Sequence, residues 1–191
     1  MFRGKKMDTS EDNFPRTGRI GRFVKIVEKE VPKDIMMKIV QDSDKFNSLS
    51  PNKKAEWWND AINRMKKEIG TDKTKDILSI CGSKCCGQGH RKTVRKKFEE
   101  SNSIEDFLKK ISIKGVTYEL VDKNTIVAEY ERCFCGQVKG AKKTFSDMTY
   151  CECGTEFNRQ YFSSAIGKPV DVELIKSIIS GSDSCKYLIY I

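Results

Sequence analysis

Histidine is nearly missing from this chain of 191 residues, which has a single one, His90. One histidine supports neither a His-Glu-x-x-His metalloprotease motif nor a Ser-His-Asp order. No Gly-Lys-Ser or Gly-Lys-Thr follows the glycines, so there is no Walker loop. Long apolar runs are missing too, and no stretch approaches the ~20 residues that span a bilayer. The start, Met1-Phe2-Arg3-Gly4-Lys5-Lys6, is basic but lacks the apolar stretch of a secretory signal. These absences lead us to expect a cytoplasmic protein with no membrane insertion. In a reducing compartment the eight cysteines read as metal ligands or reactive thiols before they read as disulfides.

Hydrophobic residues make up 38% and charged residues 33%, enough apolar surface for one folded domain of this length. The net charge of +9 is unevenly placed. Residues 1–100 carry 24 Lys and Arg against 15 Asp and Glu, whereas residues 101–191 carry 12 of each. A basic first half suits an anionic partner, although a lysine-rich solvated surface has the same composition. Arg91 to Lys97 has no interleaved aromatics for base stacking, which ranks nucleic acid last among the partners.

Residues 1–20 read as a mobile tail and 21–191 as one domain, mainly helical over 21–115 and sheet-bearing over 116–191. Arg22 to Glu30 fits a strand or the lead-in to a helix, and Asp42 to Leu49 a loop. Ser50-Pro51 is a cap followed by a first-turn proline. The helix it opens stacks Trp58, Ile62, Met65 and Ile69 on one face and ends at Gly70. Trp57 lies off that stripe, which leaves it facing either a partner, such as a second copy in a homodimer, or a second packing layer. A third helix carries Ile77, Leu78 and Cys81, with Gly82 as its interruption. Ser103 caps a helix with Phe107, Leu108 and Ile111 on its inner face. Val116–Val121 and Thr125–Tyr130 pair as a hairpin around Asp122-Lys123-Asn124. A further helix begins near Gly154 and ends at Gly167, and a final hairpin turns around Ser180-Gly181-Ser182-Asp183. The fold class is α+β, with a helical layer packed on one face of an antiparallel sheet.

The cysteines fall into four groups: Cys81, Cys85 and Cys86; the Cys133-x-Cys135 pair; the Cys151-x-Cys153 pair; and Cys185 alone. Zinc takes four soft ligands in a tetrahedron, which makes it the expected cofactor. One candidate shell is Cys133, Cys135, Cys151 and Cys153. Another takes Cys151, Cys153, Cys185 and one of Cys133 or Cys135; and because two sulfurs of a Cys-x-Cys converge poorly on one ion, a third takes one sulfur of each pair with Cys185 or His90 completing the shell. His90 is an alternative fourth ligand. Cys151 and Cys153 also stand at a helix start, where free N–H groups stabilise a thiolate. In that reading one of them is a nucleophile, or a metal ligand that positions water, with Glu152 or Glu156 as acid/base. Cys81, on the stripe with Ile77, reads equally as a small buried apolar residue. His90 and Arg91 read as a candidate ligand-binding pair in an anion-attracting patch, or else as an exposed basic helix face.

The stretch YCECGTEFNRQYFSSAIGKPVDVELIKSIISGSDSCKYLIYI combines a cysteine-bearing helix start, a Gly-Lys-Pro-Val turn, and a glycine turn that leads through Cys185 into an aromatic strand. Over roughly residues 116–191 it resembles 4-vinyl-reductase-type small-molecule-binding domains. It is also similar to the proteins described as L-2-amino-thiazoline-4-carboxylic acid hydrolases. Taken whole, the cysteine pattern is similar to that of an uncharacterised group of prokaryotic cysteine-rich proteins. The resemblance implies an α+β domain and a small-ligand pocket with the cysteines gathered near it. It also implies a carbon–nitrogen ring hydrolase as the alternative to a metal- and ligand-binding module.

Overall fold

A computed structural model describes residues 13–191 of the chain. In order they form α1 (Gly18–Glu30), α2 (Lys33–Ile39), α3 (Pro51–Ile69), α4 (Thr71–Cys85), α5 (Gln88–Glu99), α6 (Ile104–Ile111), β1 (Val116–Leu120), β2 (Thr125–Tyr130), α7 (Glu152–Ile166), β3 (Asp171–Lys176) and β4 (Cys185–Tyr190). The helix ends follow capping chemistry. Ser50 Oγ accepts the Lys53 N–H at 3.5 Å, Pro51 fills the first turn, and Gly70 at φ 78° closes α3. At α6 the Ser103 hydroxyl accepts the Asp106 N–H at 3.2 Å, while the Asp106 carboxylate accepts the Asn102 N–H at 3.0 Å.

The four strands form one antiparallel sheet in the order β1-β2-β4-β3. Asp122 Oδ1 accepts the Asn124 N–H at 2.8 Å and tightens the first hairpin turn. The sheet is one-sided, as the period of two requires. Val172, Ile126, Ala128, Tyr187 and Ile189 point inward and are buried, whereas Thr117, Glu119, Glu173 and Ile175 are exposed. The inner face packs on α6 and α7, with α5 against both helices, giving a core that contains Val94, Phe107, Phe162 and Ile189. Helices α1–α4 build a second core around Phe23, Trp58, Met65 and Ile77. The α+β expectation therefore holds, with α7 as the element that joins the helical core to the sheet.

The join is a close contact. A methyl group placed on Gly82 of α4 would lie 2.4 Å from the Cys153 carbonyl oxygen of α7. Gly82 thus does not interrupt the helix: α4 runs through it to Cys85, and the missing side chain lets the two backbones touch. On its other flank, α7 presses Gly154 against the Tyr187 hydroxyl, which a methyl would meet at 2.6 Å. Tyr130 donates to Asn158 Oδ1 at 2.9 Å, tying β2 to α7 inside the core.

Several boundaries differ from expectation. Of the supposed tail, residues 1–12 lie outside the described residues, but Gly18, Arg19 and Ile20 are already helical and Ile20 is buried. Arg22–Glu30 is helix, with Phe23, Val24 and Val27 buried at helical spacing. Ser43–Ser48 forms a 3-10 turn, entered through Asp42 in a left-handed conformation. Helix α5 begins right after Gly87, its N-cap, and runs through Gly89. Trp57 is not a partner face. It is 7% exposed, donates to the Gln41 carbonyl at 2.9 Å, and packs edge-on to Phe23, Phe46 and Trp58. Among the described residues no helix is long and apolar enough to cross a membrane.

These contacts separate two glycines that look alike in sequence. Gly82→Ala forces backbone apart and is expected to destabilise by roughly 1–3 kcal/mol. Gly89→Ala meets nothing within 4 Å and is expected to stabilise by up to about 1 kcal/mol through the lost chain entropy of glycine. Urea denaturation of both variants checks the opposite signs.

Candidate functional site

The site is assembled from the α4–α7 contact outward. Cys81 and Cys85 are one helical turn apart on α4, so both project from the same face. Cys151 caps α7 and Cys153 sits in its first turn, directly across from Gly82. Cys133 and Cys135 belong to the irregular segment between β2 and α7. That segment is fastened to the helices by Lys66–Asp147 at 2.5 Å, by the Lys142 N–H on Asn52 Oδ1 at 3.0 Å, and by the Phe145 N–H on the Ile179 carbonyl at 2.7 Å. Cys185 opens β4. All eight cysteines are free thiols.

Seven of the eight fall into one band along the seam between the two cores. At the front Cys81, Cys85 and Cys153 line a small cleft with Arg19, Arg22 and Lys84. Arg19 Nη1 donates to Cys135 Sγ at 3.4 Å, and the Tyr150 hydroxyl lies 3.2 Å from the same sulfur. Burial opposes the Arg19 charge, but Cys85, Cys135, Tyr150 and Cys153 outweigh it and raise its pKa. Trp58 forms part of the wall, and its buried indole N–H has no acceptor among the described residues. Behind the cleft, the fully buried Ser177 hydroxyl lies 3.0 Å from Cys151 Sγ and 3.9 Å from Cys185 Sγ. The Ile178 N–H also donates to Cys185 Sγ at 3.4 Å. Burial raises the Cys133 pKa, and the nearby Cys135 and Cys185 add to the rise.

The cleft has a volume of about 30 Å³, which is ion- or water-sized and far below the ~300 Å³ of a typical small-molecule pocket. A larger groove of about 350 Å³ lies elsewhere, between α3 and residues 141–145, and no cysteine lines it. Among the described residues no three His, Cys, Asp or Glu side chains are arranged to hold a metal ion in the conformation shown. The sulfurs sit close enough to act on one another electrostatically.

Electrostatics decides the resting state of the thiols. Burial pushes Cys81 up to about 12, with Cys85 adding to the rise and Arg22 and Arg19 opposing it. Burial likewise takes Cys151 to about 12, against the pull of Ser177, and Cys133 to about 11. Cys153 is driven well above the usual thiol range by burial and by neighbouring Cys135 and Cys151. The lowering expected from the start of α7 does not occur, because the dipole contribution at a helix end is small beside the loss of water around a buried thiolate. Cys151 and Cys153 are therefore neutral thiols at pH 7 in the metal-free chain.

The other sequence candidates are held by other partners. Arg91 spends its donors on the last turn of α4, with Nε to the Cys86 carbonyl at 2.8 Å and Nη2 to the Ser83 carbonyl at 3.2 Å. It is a helix cap rather than an open anion ligand. His90 is exposed and stands edge-on to Phe157 at 5.6 Å. Glu156 is buried and held by Arg159 and by Gln160 at 2.7 Å, and Glu152 accepts from Ser79 at 3.5 Å. Sequence reasoning missed Arg19 and Ser177 altogether. It left Cys81 open between ligand and core and Cys85 unassigned, although the i, i+4 spacing of Cys81 and Cys85 was there to be read.

One family pattern matches residues 20–191, a span that holds every cysteine and both cores. The chain belongs to a family of unknown function, DUF6144. Among curated proteins none matches it. The family assignment attaches no activity to the band, and nothing in it bears on the 4-vinyl-reductase or thiazoline-hydrolase resemblance.

The raised thiols make the metal-free fold sensitive to alkali. A thiol held neutral by the fold stabilises fully below its ordinary value of 9.0, and that stability is lost as pH rises toward its folded value of about 12. Each such group contributes about 1.4 kcal/mol per pH unit in that window. The buried Tyr150 and Tyr187 act in the same direction. Chemical denaturation of the reduced, metal-free protein should therefore show stability falling from pH 9 upward, with a shallower fall in Cys81→Ala.

Proposed function

We propose that this chain is a metal-binding module of a reducing compartment, the cytosol being the setting that suits eight free thiols. Its front thiols, Cys81, Cys85, Cys135 and Cys153, take up a thiophilic ion, and zinc is the ion whose tetrahedral preference best matches four cysteine sulfurs. One observation carries the reading: thiols from separate segments of the chain meet around Arg19 and Tyr150 in a cleft lined by three cationic side chains. Thiolates bound to zinc carry net negative charge, and Arg19, Arg22 and Lys84 are placed to offset it. Apolar packing of cysteine calls for no such cations.

Metal entry displaces thiol protons, since a ligand binds as thiolate and burial otherwise keeps Cys81 and Cys153 protonated. The cleft volume also favours an ion over a small-molecule substrate at this place. A thiol nucleophile is disfavoured by the same burial, which leaves Cys151 and Cys153 unreactive without a metal.

The test is elemental analysis of protein purified without chelator, followed by cobalt uptake by the reduced apoprotein. The expected result is about one bound ion or more per chain, tetrahedral sulfur-to-cobalt absorption, and at least roughly tenfold weaker binding in Cys85→Ser. Metal far below one equivalent, with no uptake by reduced apoprotein, sinks the reading.

A further inference from the structure

The irregular segment between β2 and α7 is pinned to its surroundings at two places. At the first, a methyl group on Gly140 would meet the Pro51 side chain at 2.7 Å and the Pro51 carbonyl carbon at 3.0 Å, so only glycine allows the approach. Beside that contact the Lys142 N–H donates to Asn52 Oδ1 at 3.0 Å. At the second, the Phe145 N–H donates to the Ile179 carbonyl at 2.7 Å, and Asp147 pairs with Lys66 of α3 at 2.5 Å. Between these anchors lies the groove of about 350 Å³, bounded by α3 and residues 141–145. Its size is that of a small-molecule pocket. Both walls are held by the fold itself, so a ligand entering it has little ordering cost to meet.

The charges that line the groove are unequal in their engagement. Lys53 and Glu56 cancel within α3, with Lys53 Nζ 2.6 Å from Glu56 Oε2, and Asn52 Nδ2 donates to Glu56 Oε1 at 2.8 Å. Asp60 on the α3 wall, and Lys142 and Lys143 on the other, line the same groove. Among the described residues none of these three side chains has an ion-pair or hydrogen-bond partner. The groove therefore offers one uncommitted carboxylate and two uncommitted ammonium groups, over apolar patches from the buried Ala55 and Phe145.

We infer that this groove binds a small acidic zwitterion of amino-acid or dipeptide size, its ammonium on Asp60 and its carboxylates on Lys142 and Lys143. A ligand of one sign fits poorly. A plain anion sets like charge against Asp60, and a plain cation meets two lysines. A molecule with two carboxylates and one ammonium answers the three lining charges one for one, and its aliphatic carbons have Ala55 and Phe145 to cover. Charge-assisted hydrogen bonds at both ends fix its orientation along the groove. No cysteine lines this place, so the inference stands apart from the metal-binding reading.

The experiment is calorimetric titration of the full chain at low salt with L-glutamate and with glycyl-L-glutamate. N-acetyl-L-glutamate, which lacks the ammonium, and L-lysine, which lacks the second carboxylate, are the controls. The expected result is binding of at least one of the two acidic zwitterions, with each control at least roughly tenfold weaker. Asp60→Asn and, separately, Lys142→Ala/Lys143→Ala should each weaken that binding at least roughly tenfold. The substituted side chains hold nothing in the fold, and circular dichroism of each variant checks that it is intact. No binding of either zwitterion overturns the inference. Equal binding of either control overturns the charge match on which it rests. Binding unchanged in either variant places the ligand elsewhere and overturns it as well.

Discussion

The backbone contact between α4 and α7 at Gly82 and Cys153 governs the rest of the molecule. Two helices that touch through a glycine approach more closely than side chains would allow, and that separation decides where everything attached to them lies. Through α4 the contact fixes Cys81 and Cys85, and through the first turn of α7 it fixes Cys151 and Cys153. Because α7 also lies on the sheet, the same contact sets the distance from the helical core to Cys185 on β4. A thiol band on a seam between two cores follows, since neither core alone presents more than part of it.

The seam explains why so much sulfur remains protonated. Residues between two apolar clusters lose water from both sides, and desolvation is the leading cause of the upward shift at Cys81, Cys133, Cys151 and Cys153. The cations that line the cleft come from α1 and the end of α4. The arrangement favours charged sulfur when a cation enters among the thiols and disfavours it otherwise, so the burial that silences the thiols as nucleophiles sharpens their dependence on metal.

Much of the fold was legible because it rests on local chemistry. The Ser50-Pro51 and Ser103 caps, the Gly70 stop and the Asp122–Asn124 turn each follow from side chains reaching their own backbone, and each appears where the pattern put it. Gly82 was misread because a glycine in a helix signals a break or a close neighbour equally well, and only the packing distinguishes them. Trp57 was ambiguous for a similar reason: the second packing layer that covers it comes from α1 and the Ser43–Ser48 turn, which one-helix periodicity does not see. At the site, the cysteine groups were legible as groups, but their partition was not. Cys185 meets Cys151 through Ser177, residues separated by long stretches of chain. Arg19 reaches Cys135 across a still longer one. No spacing rule encodes such contacts.

The segment between β2 and α7 has a consequence for the order of biosynthesis. It lies against α3 through Asn52 and Lys66, elements made early, yet its end is clasped by the Ile179 carbonyl, made late. A polypeptide emerging N-terminus first presents Cys81 and Cys85 well before the strand bearing Cys185 exists. During that interval the early sulfurs are exposed to solvent, where a thiol ionises near its ordinary range and any passing soft cation or oxidant has access. Docking of α7 onto α4 is the event that removes them from that traffic.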